Sequence, residues 1–319
     1  MNEFEIIERY FKQAHPASQA NLTLGIGDDA AIINVPDDTE LVISMDTLVA
    51  GVHFFENSSA EDIAYKSLAV NLSDIAAMGA SPRWISLSLT LPDKDLDWIK
   101  KFSSSFNQLA MEHSLVLIGG DLTKGPLSIT VQIYGIAPKG KSLRRSGANV
   151  GDLIYVTGYL GAAAYALKHI EGSNVFSAPT DNEIQRLNRP EARIKAGIVL
   201  RDVATTCIDI SDGLLADLGH ILKASNVGAK VMLSDIPYSS SLQKIDREIA
   251  IELALTGGDD YELCFTLPEG VPDIVINELE SICPIHCIGS ITKHESQLSL
   301  IDGNDEPYEI NTNAYQHFS

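Results

Sequence analysis

Residues 60–91 read AEDIAYKSLAVNLSDIAAMGASPRWISLSLTL, and the organisation of the first half of the chain follows from them. Over 60–79, Ile63, Leu68, Leu72, Ile75 and Ala76 recur at helical spacing, so a helix with one apolar side is expected. From Trp84 to Leu91 apolar and polar residues alternate, the pattern of a half-buried strand. Working outward, Phe4, Ile7 and Phe11 share a face of an opening helix over 3–13. Strands are expected at 30–34, 41–45, 115–118 and 128–136, and a further helix at 95–113. This irregular alternation predicts a mixed sheet with helices on one face.

Residues 137–151, APKGKSLRRSGANVG, combine Pro, Gly and a basic cluster within an acidic chain and mark a domain boundary. Beyond it strands are expected at 153–157, 206–210, 229–234 and 261–267. Helices are expected near 160–170, 190–204, 213–225, 246–255 and 272–281, with two short strands to close. The expected class is α+β: two mixed α/β domains, one over 1–138 and one over 149–319, with no tandem repeat.

Composition narrows the function. A 45% hydrophobic chain of 319 residues builds a large core, and no apolar run approaches the ~18 residues that span a bilayer. The acidic, amphipathic start lacks the basic-then-apolar order of a signal peptide. Cys207, Cys264, Cys283 and Cys287 are expected as reduced thiols, three of them in strand-like apolar runs, so the expected compartment is the cytoplasm. A net charge of −20 argues against a nucleic-acid or membrane partner, because phosphate backbones and anionic lipids select Lys and Arg.

The acidic residues themselves carry the chemistry. Asp28 and Asp29 precede a strand in GIGDDAA, and Asp46 and Asp121 are expected at the ends of LVISMD and LVLIGGD. Asp209 and Asp212 end CIDISD, and Asp259 and Asp260 precede a strand in TGGDDYE. Carboxylates where strands meet Gly- or Ser-rich turns line ligand crevices. Asp74 forms an i, i+4, i+7 stripe with Ser67 and Asn71 on an otherwise apolar helix, where a carboxylate must be paired, protonated or bound to metal. Gathered carboxylates repel one another unless a cation intervenes. Oxygen ligands without His or Cys suit Mg²⁺, which shares its shell with substrate phosphates. Metal-assisted phosphate chemistry is therefore expected.

Other signals are weaker. Residues 25–30 fit G-x-G-x-x-A, but a strand rather than a helix is expected next, so the dinucleotide reading fails. No Walker loop or protein-kinase signature occurs. The GGDDY turn is similar to that of nucleotide cyclases, a reading that leaves the other aspartates unexplained. Cys283-Pro-Ile-His-Cys287 has no second half for a metal site.

Taken in order, GIGDDAA (25–31), DTLVAGVHF (46–54), KSLAVNLSDIAAMGA (66–80), IGGD (118–121), RSGA (145–148), GDLIYVTG (151–158), DISDGLLADLGH (209–220) and TGGDDYEL (256–263) span nearly the whole chain. The set resembles the bacterial thiamine-monophosphate kinase family, within the aminoimidazole-ribonucleotide-synthetase-like superfamily. The resemblance implies ATP- and Mg²⁺-dependent conversion of thiamine monophosphate to thiamine diphosphate. It implies that Asp29, Ser44, Met45, Asp46, Asp74, Asp121, Asp209 and Asp212 bind several Mg²⁺ ions, Met45 through its carbonyl because the family commonly has Thr there. Gly120, Asp121, Arg145 and Ser211 would contact ATP, and His53, Asp259 and Tyr315 the thiamine substrate. Asp259 stands where the family usually has Glu and reaches about one methylene less far. A homodimer paired through the N-terminal domains is implied, with the C-terminal domain completing the active-site cleft. No dedicated catalytic base is expected, since a phosphate monoester is already a nucleophile near neutral pH and positioning supplies most of the catalysis. Another ATP-using enzyme of the superfamily, or a non-catalytic Mg²⁺–nucleotide sensor, are the alternatives.

Overall fold

The computed structural model describes residues 2–12, 21–172, 178–294 and 297–310. The chain divides into two compact units, one of residues 1–75 with 80–140 and the other of 76–79 with 141–319.

The first unit opens on a capping box. The Asn2 side chain accepts from the Glu5 N–H (2.9 Å) and the Glu5 carboxylate accepts from the Asn2 N–H (2.8 Å), starting α1 (Glu3–Ile6), which continues as a π-helical turn over Ile7–Phe11. A small hairpin follows, β1 (Leu22–Leu24) with β2 (Ile32–Ile33), and then β3 (Thr39–Val49) and α2 (Ala60–Ala77). Next come β4 (Ser81–Leu91), α3 (Leu96–Glu112), β5 (Val116–Lys124) and β6 (Ser128–Pro138). The main sheet runs β3-β6-β4-β5, antiparallel except for the β4–β5 pair. Its inner face, carrying Val42, Leu48, Ile85, Leu87, Ile129, Val131 and Ile133, is buried. Helix α2 reaches this face through hydrogen bonds from β3, and Ser105 of α3 donates to the Glu61 carbonyl of α2 (2.8 Å). Asp95 caps α3, whose Trp98, Phe102 and Phe106 stack in series. On the other face, Trp84, Val116 and Ile118 pack with Leu22 and Ile33 of the hairpin.

The second unit is a seven-stranded sheet with helices. Its elements are β7 (Leu153–Thr157), α4 (Ala162–Ile170), α5 (Asp181–Asn188), α6 (Ile194–Leu200), β8 (Thr206–Asp209), α7 (Leu214–Ser225) and β9 (Gly228–Met232). They continue with α8 (Arg247–Thr256), β10 (Leu263–Leu267), α9 (Asp273–Ile282), β11 (Ile285–Thr292), β12 (Leu298–Ile301) and β13 (Pro307–Tyr308). Strand order is β13-β12-β9-β11-β7-β10-β8, antiparallel apart from β12–β9. Ile154, Val156, Ile208, Leu218, Ile221, Val231, Ile251 and Ile288 form its core. Side chains of this size contribute roughly 1.5–3 kcal/mol each when fully buried.

The α+β class holds, with three local corrections. β3 and β5 run past Asp46 and Asp121, so both lie inside strands rather than at their ends: Thr47, Leu48 and Val49 continue the ladder against Thr130, Ile129 and Ser128, and Leu122 to Lys124 continue it against Leu89 to Leu91. β2 shrinks to two residues. α5 was not expected, although its capping box, Thr180 with Glu183, is written in the sequence. No described helix is long and apolar enough to cross a membrane. All four cysteines are free, and burial holds the thiols of Cys207, Cys264 and Cys283 above their ordinary range, which makes them inert core groups.

Candidate active site

In the first unit the polar stripe of α2 meets β3. Ser67 and Asn71 are fully buried, and Asn71 Nδ2 donates to the Ser67 carbonyl (3.0 Å) while its Oδ1 accepts from the Asp46 N–H (3.2 Å). One turn on, Asp74 Oδ2 accepts from Ser44 Oγ at 2.5 Å. Strand alternation puts Ser44 and Asp46 on the face that α2 covers and Met45 on the other, where its side chain is 60% exposed. The Met45 side chain therefore takes no part in this cluster.

Asp29, Gly120 and Asp121 line a second feature, a cavity of about 800 Å³. Its walls include Phe4, Ile7 and Phe11 of the opening helix, Ile26 to Ala31, and Ile118 to Leu122 of β5. Here β5 carries a bulge: Ile85 pairs with Leu117 but Ser86 with Gly119, which leaves Ile118 extra. The shift turns Asp121 to the same face as Ser88, away from Ser44 and Asp46. At Gly120 any Cβ would lie 1.8 Å from the Leu87 carbonyl oxygen, so only glycine fits. His53 is fixed by the turn after β3, with Nδ1 accepting from the Val49 N–H (3.0 Å) and its carbonyl accepting from Lys66 Nζ (3.3 Å). An Nδ1 that accepts leaves the proton of the neutral ring on Nε2.

The second unit brings the remaining described residues onto adjoining segments. Asp209 closes β8, paired with Leu263, and Ser211 and Asp212 form the turn into α7. One oxygen of Asp217 accepts from both the Ser211 N–H (3.0 Å) and the Asp212 N–H (3.1 Å). Burial, with Asp212 nearby, lifts the Asp217 carboxyl to about 7 against the pull of those two donors and of Arg145. The 257–262 loop lies alongside: the Asp259 N–H donates to the Ser211 carbonyl (2.9 Å) and the Tyr261 N–H to that of Ile210 (2.8 Å). Asp260 is buried, which raises its carboxyl, and both its oxygens accept from the Gly161 N–H at 3.0 Å. Glu262 is 2% exposed and receives Arg193 through two bonds of 2.6 Å and Thr157 Oγ1 at 2.6 Å. Burial opposes the Arg193 charge, but the carboxylate outweighs it and holds the guanidinium above its ordinary range. Arg145 sits on a segment tied to α7, with Ser225 Oγ donating to its carbonyl (3.2 Å), and its side chain is exposed. Tyr315 lies outside the described residues.

The candidate residues therefore form separate sets, and among the described residues no three His, Cys, Asp or Glu side chains gather closely enough to hold a metal ion by themselves. Sequence reasoning missed Asp217, Arg193 and Glu262 as supports. The only signal for Glu262 is a charged residue heading the apolar run LCFTL.

The chain matches the family of AIR synthase related proteins, its N-terminal domain over residues 27–137 and its C-terminal domain over 149–300. It is 47% identical to the thiamine-monophosphate kinase of Escherichia coli K12 over 99% of this chain and 98% of that one. The crystal structure of thiamine-monophosphate kinase from Stenotrophomonas maltophilia K279a superposes with a TM-score of 0.85 at 42% identity, covering 94% and 96% of the two chains. AaThiL complexed with AMPPCP and TMP follows at 0.77 and 29% identity, covering 92% of each. By motif order, fold and full-length identity, the chain belongs to the thiamine-monophosphate kinases of the AIR synthase related family.

Proposed function

We propose that the chain transfers the terminal phosphoryl group of ATP directly to the phosphate of thiamine monophosphate, giving ADP and thiamine diphosphate. The observation that carries this is full-length identity to thiamine-monophosphate kinases together with their motifs in place. An acceptor phosphate oxygen attacks the γ-phosphorus in line as its bond to the bridging oxygen of ADP breaks, so no phosphoenzyme forms and no strong base is needed.

Mg²⁺ fits the donors present. Ser44, Asp46 and Asp74 offer hard oxygens where β3 meets α2, to which the family resemblance adds the Met45 carbonyl, and Asp29 and Asp121 offer carboxylates on one cavity. Asp209 and Asp212 offer two more in the second unit. The small number of carboxylates in each set suits an ion that completes its shell with phosphate and water. Bound there, Mg²⁺ supplies neutralisation of phosphate charge. The protein's own groups do the rest. Gly120 contacts ATP through its backbone beside Asp121, and the Ser211 hydroxyl and Arg145 guanidinium supply donors for ATP. His53, as an Nε2–H donor, and Asp259 orient the thiamine substrate, with Tyr315 as a third contact.

Residues 1–138 carry most of the metal and nucleotide contacts and pair two chains into a homodimer, a reading supported by the edge strand β3, which exposes Ile43 and Met45. Residues 149–319 supply the remaining ligands. Four free cysteines fit the reducing cytoplasm. The test is product formation from purified protein, ATP, Mg²⁺ and thiamine monophosphate, with thiamine as a control acceptor. Thiamine diphosphate made only from the monophosphate and only with Mg²⁺ is expected. ATP binding without turnover on any acceptor refutes catalysis, and retention of configuration at a chiral γ-phosphate refutes direct transfer.

A further inference from the structure

Within the 257–262 loop, successive residues face opposite fates. Asp260 and Glu262 are buried and bound, whereas Asp259 and Tyr261 between and before them are half-exposed. Both half-exposed residues hold left-handed backbone, φ +67° at Asp259 and +49° at Tyr261, a region that side chains other than glycine seldom occupy. Such a conformation persists only where the surroundings over-determine it. Here the determinants are plain: Asp260 grips the Gly161 N–H with both oxygens, and Glu262 takes the guanidinium fork of Arg193 and the Thr157 hydroxyl. Thr157 Oγ1 in turn accepts from the Leu263 N–H (2.8 Å), so the anchor continues into β10. A buried ion pair is weak evidence for stability, because desolvation offsets most of its attraction, but it fixes geometry well.

We propose that Arg193 and Glu262 are positioning residues for the acceptor substrate, holding Asp259 at the angle from which it meets thiamine monophosphate. This rests on the assignment of Asp259 to the substrate. The neighbouring 209–212 turn accepts two bonds from this loop, at the Ser211 and Ile210 carbonyls, but it also has an anchor of its own, Asp217 on the Ser211 and Asp212 N–H groups, which a loosened 257–262 loop leaves in place. Binding of thiamine monophosphate should therefore suffer more than binding of ATP.

The test is steady-state kinetics of Glu262→Gln, Arg193→Lys, Asp259→Asn and the double variant Asp259→Asn with Glu262→Gln, with a thermal melt of each. Glu262→Gln keeps the shape and loses the charge, and Arg193→Lys keeps the charge and loses the fork. Either should raise KM for thiamine monophosphate about tenfold, a change worth ~1.4 kcal/mol of binding, while KM for ATP stays within about twofold. The double variant should be no worse than Asp259→Asn alone, because Glu262 acts through Asp259. Additive losses, or KM values for both substrates and kcat falling in step with the melting temperature, overturn the positioning role and leave a structural one. If Glu262→Gln does not fold, Arg193→Lys carries the same comparison. Wild-type turnover with an Asp259→Asn variant of unchanged KM overturns the Asp259 assignment and this inference with it, whereas no wild-type turnover refutes the kinase reading itself.

Discussion

Gly158→Ala should unfold the second unit far more readily than an ordinary glycine substitution. Gly158 sits at φ +60°, and a Cβ there would lie 2.1 Å from Glu262 Oε1 and 2.3 Å from Cδ. A flexible carboxylate would normally swing aside. This one is held by Arg193 and Thr157 with 2% of its surface exposed, so moving it breaks the fork and leaves Glu262 only Arg186 at 3.7 Å and Arg193 only the exposed Glu191 at 3.0 Å. Breaking a buried pair costs about 3–5 kcal/mol, the lower end applying where other partners remain, and the left-handed backbone adds roughly 1–2 kcal/mol for alanine. At about 2–4 °C per kcal/mol for a unit of this size, the melting temperature should drop on the order of 10–20 °C. The comparison is Gly270→Ala in the same unit, at φ +85° with nothing within 4 Å of the added carbon, which bears only the backbone term. Calorimetry of both variants without nucleotide or metal decides the matter. A Gly158→Ala melt within about 3 °C of Gly270→Ala would show that Glu262 is not pinned as described.

Other outcomes follow from the same geometry. Asp46→Asn and Asp121→Asn should each lower turnover at least about 100-fold, comparable to losing an electrostatic catalytic contact, with the far-ultraviolet spectrum unchanged; near-normal turnover at ordinary Mg²⁺ would remove them from the metal sites. Met45→Leu should leave the Mg²⁺ dependence of the rate within about twofold of the wild type, since its side chain points away from the face that carries Ser44 and Asp46; a shifted Mg²⁺ titration would contradict this. Asp217 is raised from 3.8 to about 7 in the folded chain, so the folded form binds the extra proton between those values. Its contribution to stability is therefore present at low pH and lost as pH rises from about 4 to about 7. Urea unfolding in EDTA across that range should show a shallower slope for Asp217→Asn than for the wild type, and equal slopes would refute it.

Much of this was legible beforehand because side-chain period reports burial directly. The stripe of Ser67, Asn71 and Asp74 on a helix apolar elsewhere was visible as a conflict, and it resolves as the contact with Ser44 and Asp46. Strand ends were less legible. Glycine next to Asp121 and a break in hydrophobicity at Asp46 look like termination, yet both ladders continue, because pairing depends on partner strands that local composition does not reveal. The supports of the 257–262 loop were out of reach for a related reason: Arg193 and Glu262 lie 69 residues apart, and nothing in either neighbourhood names the other.

The bulge at Ile118 makes the placement of Asp121 a question of parity. In a strand, orientation is counted in twos, so a residue inserted or removed reverses everything after it unless a bulge absorbs the change. Counted from Leu117, opposite Ile85 on the helix side, strict alternation would return Asp121 to that side; because Ile118 stands outside the ladder, the carboxylate instead turns to the cavity. Loss of Ile118 alone would only straighten the ladder, with Gly119, Gly120 and Asp121 still opposite Ser86, Leu87 and Ser88, whereas one residue added between Gly120 and Asp121 would retain every aspartate and yet present the acid to the wrong side of the sheet. Length between landmarks in β5 is thus as much a part of the site as the residues named in it.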